Sequence, residues 1–320
     1  MTDFVKHLIA REDSETNLFY YVPSRAINIV ALVFFVIAFI GHTGLAIKFK
    51  QRWFGICFFI GVGLEVIGYI GRAMGSNNPY SRMAYIIQTT CLTFAPAFMM
   101  AGIYYLLALV VVIWGYEYSY FQPWTYSRMF IGMDIFAILM QSSGGAIAAT
   151  ASGDGGNTTL GTHVMVAGLA LQVVSTIFVG VASALYYHRL RTNQPWSHTI
   201  NKSRASYGSV RDSEKAAVFD RDHAVHLRTR MSVIRNTRWA KVTILMSILA
   251  TVLIFVRSIY RVVELGEGWA GTLMVTEVYF LSMDTLLVGV AVWLLMVFYP
   301  GWALGGVQIS EGHRASVMEL

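Results

Sequence analysis

Long apolar blocks separated by short polar connections set the pattern of this chain. Seven blocks, at 26–47, 53–71, 84–113, 129–150, 163–187, 240–263 and 270–298, reach the roughly 20 apolar residues that a helix needs to cross a bilayer. The pattern predicts an all-α polytopic membrane protein, a seven-transmembrane helix bundle. A polar segment, 1–25, precedes it, the bundle occupies 26–301, and a short tail, 302–320, follows. One connection is long and polar, at 188–239.

Composition agrees. The 320 residues are 56% hydrophobic and 13% charged, with mean hydropathy +0.55, against about 25% charged in an ordinary soluble domain. Segment 1–25 mixes Asp3, Lys6, Arg11, Glu12, Asp13 and Glu15, unlike a cleavable signal peptide, so the first span is expected to direct insertion. Lys and Arg in the connections set orientation. With the N-terminus outside, sixteen fall inside, eleven of them in 188–239, and five outside. The N-terminus is therefore expected outside and the C-terminus in the cytoplasm. The fourth connection carries the sequon Asn157-Thr158-Thr159, a glycosylation candidate on that orientation. The positive excess of loop 188–239 reads first as a solvated loop obeying the positive-inside rule. The sharper readings are contact with anionic inner-leaflet lipid or phosphorylation at Ser206 or Ser213, and no nucleic-acid partner is expected.

Charges inside the spans change the picture most, because each costs about 2.5–3.5 kcal/mol to insert and usually marks a site. Glu65 and Arg72, Asp134 and Gln141, Arg257 and Glu264, and Glu277 and Asp284 are each seven residues apart, close to two helical turns and hence on one face. Arg261 shares the face of Arg257 and Glu264, and Gln88 and Gln172 add polar groups to the third and fifth spans. The eleven residues predict one polar seam inside the bundle, with Arg72 near enough to a span end to snorkel. The seam holds five acids and three bases. Either some carboxyls are protonated or the seam accommodates a cation, such as the ammonium of a long-chain amine. Pro96 should kink the third helix and free a carbonyl one turn earlier. Gly61, Gly63, Gly68, Gly71, Gly144 and Gly145 should permit close helix packing.

Catalysis is not indicated. No Gly-x-x-x-x-Gly-Lys-Ser/Thr loop occurs. The last span has no Lys for a retinal Schiff base. His42 and His163 are isolated, and Cys57 and Cys91 lie at different depths, so neither a metal, a cofactor nor a disulfide is expected.

The ordered segments LEVIGYIGR, QTTCLTFAPAFMMAGIYY, DIFAILMQSSGG, GLALQVVSTIF, FVRSIYRVVELGEGWAG and EVYFLSMD resemble the fungal lipid-translocating exporter family, seven-span proteins linked to resistance to aminosterols and sphingoid long-chain bases. The resemblance assigns the family's polar signature to Glu65, Arg72, Gln88, Asp134, Gln141, Gln172, Arg257, Arg261, Glu264, Glu277 and Asp284. Two positions depart from it: Thr276 stands where the family often has His, and Tyr299-Pro300-Gly301 where it often has His-Pro-Gly. What it implies is translocation of an amphiphilic lipid, a long-chain base or sterol-like amine, at the plasma membrane, with membrane lipids as partners. The alternative is a seven-span lipid-responsive receptor or regulator acting indirectly on lipid asymmetry. Its N-out topology would fit, although the third span ends IWGYEY and the last lacks Asn-Pro-x-x-Tyr.

Overall fold

The computed structural model describes residues 21, 23–115, 118–120, 123–153, 157–195, 237–268 and 271–304. The segment 1–20, most of the basic loop with Ser206 and Ser213, and the tail beyond 304 lie outside them. Six long helices follow the apolar blocks: α1 (Arg25–Phe49), α2 (Arg52–Asn77), α3 (Arg82–Trp114), α4 (Pro123–Gly153), α5 (Thr159–Thr192) and α6 (Arg238–Gly266). The chain then runs through a single turn, α7 (Thr272–Val275), and a compound helix. Its parts are α8 (Glu277–Phe280), a π-helical turn (Leu281–Leu286) and α9 (Leu287–Val297), with α10 (Pro300–Leu304) after a break. Seven helical stretches, α1 to α6 and Glu277–Trp302, are long and apolar enough to cross a membrane.

Helix ends follow local chemistry. α1 stops at Lys50 and α5 at Asn193, both left-handed, with φ of 54° and 53°, the conformation that closes many helices. Ser81 caps α3 by accepting the Ala84 N–H at 3.3 Å, satisfying one orphan donor of the first turn.

Two boundaries correct the sequence reading. α2 runs to Asn77 instead of ending near 71, so Arg72 sits more than a turn inside its helix and is fully buried instead of snorkelling. The seventh span begins at Glu277, because Thr276 is extended (φ −105°, ψ 110°), and 271–275 forms a separate turn before it.

Among the spans α3 is the most buried and α1 the least. α3 packs on α2, α4, α5 and α6, and the compound helix lies between α1 and α6. Large aliphatic side chains such as Ile40, Ile47, Leu139 and Leu245 point outward, the arrangement lipid requires. Inside, Phe35 stacks on Tyr69 and His42 on Phe58. Tyr299, at the position where the resemblance has His, is buried edge-on to Phe54. Cys57 and Cys91 are unpaired.

The α4–α5 contact depends on glycine. A Cβ on Gly161 would overlap the Ala148 backbone, and one on Gly144 would lie 2.6 Å from the Met165 nitrogen. Gly161→Val is expected to destabilise the protein by about 1–3 kcal/mol, the usual range for overpacking, read as a lower melting temperature in detergent. A melting temperature equal to wild type would show that the two helices can separate freely.

Candidate functional site

Polar side chains from α1, α2, α3, α6 and the compound helix meet in two adjoining layers. The first is centred on Arg72, held rigid by its place inside α2. Its Nε donates to Asn28 Oδ1 at 2.6 Å, Nη1 to Gln88 Oε1 at 3.2 Å, and Nη2 to the Tyr21 hydroxyl at 2.6 Å and to Glu277 Oε1 at 3.3 Å. The guanidinium also lies 3.9 Å from the Phe280 ring centre, a cation–π contact. Glu277 takes the Ser24 N–H on both oxygens, at 3.0 and 3.1 Å, and the Asn28 amide at 3.2 Å. One arginine thus ties the start of α1 and of the compound helix to α2 and α3. Burial raises the Tyr21 phenol above its ordinary value, opposed by the Arg72 charge.

The second layer is built on α6. Arg257 Nε donates to Asp284 Oδ1 at 2.5 Å, and its Nη2 donates to the Leu92 carbonyl at 2.6 Å. That carbonyl is available because Pro96, four residues on, has no N–H to give it. One turn along, Arg261 donates to Glu264 at 2.5 Å and to Thr93 Oγ1 at 2.9 Å, and the Tyr260 hydroxyl donates to Glu264 at 3.2 Å. Asp284 stands in the π-helical turn, a geometry that inserts an extra residue and is frequent at functional sites. The altered winding gives Glu277 and Asp284 different partners, Arg72 and Arg257. Tyr69 braces the same turn through Thr285, at 2.6 Å.

The arginines are therefore matched one to one: Arg72 with Glu277, Arg257 with Asp284, Arg261 with Glu264. Two acids remain. Glu65 is buried on α2 within electrostatic range of Arg257, Arg261 and Asp284, and makes no hydrogen bond or ion pair among the described residues. Asp134, on α4, is also buried, and among the described residues neither of its oxygens makes a hydrogen bond of good geometry. The shortfall of two positive charges in the sequence thus falls on these two positions. A cleft bordered by Arg72, Gln88, Thr89, Arg261, Glu264 and Phe280 joins the layers. Its cavity is about 20 Å³, room for about one water and too small for a lipid headgroup.

The single seam expected from the sequence is divided. Glu65, Arg72, Gln88, Arg257, Arg261, Glu264, Glu277 and Asp284 come together around α2, α3, α6 and the compound helix. Asp134, Gln141 and Gln172 lie between α3, α4 and α5, where Gln141 Nε2 donates to Gln172 Oε1 at 3.4 Å. The neighbours of this second group are on α3 and α5, Tyr104 and Ser175 beside Asp134 and Gln172 beside Gln141. Sequence reasoning missed Asn28, Ser24, Tyr21, Thr93 and Tyr260. Asn28 had a signal, an amide in the first turn of an apolar block. The hydroxyls did not stand out from the many Ser, Thr and Tyr of the spans. Among the described residues no group of three His, Cys, Asp or Glu is placed to hold a metal. Asn157 is exposed, its side-chain oxygen accepting the Thr159 N–H at 2.8 Å.

Seven apolar helices closed around buried ion pairs define a multi-pass membrane protein with a charged interior. The family described as RTA1 like protein matches residues 58–306. The chain belongs to this RTA1-like family, the fungal lipid-translocating exporters. The sphingoid long-chain base transporter RSB1 of Saccharomyces cerevisiae (strain Lalvin EC1118 / Prise de mousse) is 34% identical over 303 residues, covering 91% of this chain and 76% of that protein. Protoporphyrin uptake protein 1 of S. cerevisiae (strain ATCC 204508 / S288c) is 26% identical over 309 residues, 86% of this chain and 89% of the relative. Protein RTM1 of S. cerevisiae is 28% identical over 229 residues, 71% and 61% of the two chains. No solved structure matches.

Proposed function

We propose that this protein moves cationic amphiphiles of the sphingoid long-chain-base type between the leaflets of the plasma membrane. The observation that carries the reading is Glu65: a buried carboxylate left over after every arginine around it is matched. An ammonium headgroup supplies the missing charge, while its hydrocarbon chain stays in lipid. A relative named for sphingoid long-chain base transport, similar over 91% of the chain, supports the substrate class. Because the cleft holds only about 20 Å³, the structure is a closed state, and headgroup entry requires the helices to part. The Arg72–Glu277 pair is the contact that opens, since Glu277 is 18% exposed while Asp284 and Glu264 are nearly sealed.

The test is purified protein in liposomes with a fluorescent long-chain base in one leaflet. Accelerated crossing relative to protein-free liposomes is the expected result. Saturable binding without crossing would overturn translocation in favour of a lipid-responsive receptor.

The same reading places the N-terminus and the α4–α5 connection outside the cell. Asn157→Cys is expected to react in intact cells with a membrane-impermeant maleimide, whereas native Cys57 and Cys91 lie within spans. Labelling only after permeabilisation would reverse the orientation.

A further inference from the structure

Asp134 lies apart from the arginine network, yet it is not an isolated residue. The Tyr104 hydroxyl from α3 and the Ser175 hydroxyl from α5 are its neighbours. Among the described residues neither hydroxyl, nor either Asp134 oxygen, makes a hydrogen bond of good geometry, although Tyr104 and Ser175 stand close enough to Asp134 to interact with it. All three residues are at least 97% buried. α4 packs chiefly on α3 and α5. Among the described residues Tyr104 is the titratable group that faces Asp134 from α3, and α5 presents the hydroxyls of Ser175 and Thr176. The Thr176 hydroxyl already donates to its own-helix Gln172 carbonyl, at 2.9 Å. Among the described residues no cationic side chain acts on Asp134. An ionised carboxylate without a cation is the costliest occupant of a membrane interior. One added proton removes the charge, and it turns an acceptor-only group into one that can both donate to and accept from hydroxyls. A cluster of four unmet polar atoms on three helices is thus built to take a single small cation.

We propose that Asp134, with Tyr104 and Ser175, is a proton-binding site that couples amphiphile movement to a proton gradient. The inference rests on the translocation reading for its coupling, but not for the proton site itself. The link between the two is α3. Leu92 and Thr93 on this helix hold Arg257 and Arg261, and Tyr104 lies about three turns further along. Pro96 falls between them, where the helix lacks a backbone hydrogen bond. Taking up a proton at Asp134 changes what Tyr104 can donate to or accept from. A shift of Tyr104 moves the part of α3 beyond Pro96 relative to the part that anchors the arginines. The step is a bare proton transfer: an oxygen of Asp134 gains a proton from water on one side, and releases it to water on the other.

Two measurements test it. Infrared difference spectra of the purified protein across a pH titration should show a carboxylic C=O stretch that is absent in Asp134→Asn and shifted in Tyr104→Phe. Loss of no band in Asp134→Asn overturns the proton site, whatever the liposomes do. In liposomes a pH gradient should accelerate crossing of the long-chain base several-fold in wild type. Asp134→Asn should retain the basal rate without that acceleration. Full acceleration in the variant, or acceleration by a sodium gradient in place of a proton gradient, overturns the coupling. If the wild type moves no long-chain base at all, translocation fails while the infrared result still decides the site. Asp134→Glu, which keeps a carboxyl, is the folding control, and should restore a carboxylic band.

Discussion

Arg257→Met alone is expected to lose about 3–5 kcal/mol of stability, the range for removing one partner of a buried ion pair. Asp284 would be left charged and 3% exposed, and the Leu92 carbonyl freed by Pro96 would lose its donor. Adding Asp284→Leu should recover most of the loss, because replacing both members of a buried pair by apolar residues is often neutral or stabilising. Recovery should stop short of complete. The Leu92 carbonyl stays unsatisfied, at a cost of about 1–3 kcal/mol. Thermal unfolding of the detergent-solubilised protein, followed by size-exclusion monodispersity, reads both variants. Equal destabilisation by the single and double changes would mean that the guanidinium acts through the Leu92 carbonyl and not through the carboxylate. The double variant also separates scaffold from path. It should fold and yet fail to move a long-chain base, because Glu65 would lose two of the three charges, Asp284 and Arg257, that act on it inside the bundle.

The pair illustrates which parts of this molecule were legible in its sequence. Apolar runs of 20 or more residues have one reading in a protein, so all seven spans could be placed, with errors only at their ends. Those ends mattered. The two extra turns of α2 decide whether Arg72 reaches a surface or lies in the interior, and hydropathy cannot locate them because Ala73, Met74 and Gly75 read as readily outside a span as inside it. The π turn was invisible for a different reason. LSMDTL contains no proline or glycine to mark a change of winding, and the turn is selected by the side chains that Asp284 and Thr285 meet from other helices. Seven-residue spacing puts a pair on one face of a regular α-helix, and the π turn changes that winding between Glu277 and Asp284. Spacing says nothing, however, about which helices stand next to one another. For that reason Asp134, Gln141 and Gln172 could not be told apart from the arginine group until the neighbours of α4 were known. The Leu92 carbonyl is the opposite case. Pro96 announces a missing hydrogen bond in the sequence itself, and the only open question was which donor would come to it.

Glu65→Gln should fold as well as wild type and slow the crossing of a long-chain base by more than tenfold. The substitution keeps the shape of the side chain and removes only its negative charge. Glu65 makes no hydrogen bond or ion pair among the described residues, so no partner is left stranded, unlike the loss of Asp284, Glu264 or Glu277. If anything stability should rise, because a neutral amide costs less to bury than a carboxylate. Three measurements make the outcome specific: the melting temperature in detergent, the crossing rate of the long-chain base, and the crossing rate of its N-acylated, uncharged counterpart. A charge-matching role predicts an unchanged or higher melting temperature and a large loss for the amine. It also predicts that any slow crossing of the neutral lipid is untouched. A carboxyl that is merely protonated and packed predicts no loss at all, since glutamine reproduces a neutral acid in both size and polarity. Unimpaired crossing of the amine would therefore remove Glu65 from the path, and with it the reason for assigning a cationic headgroup to this protein.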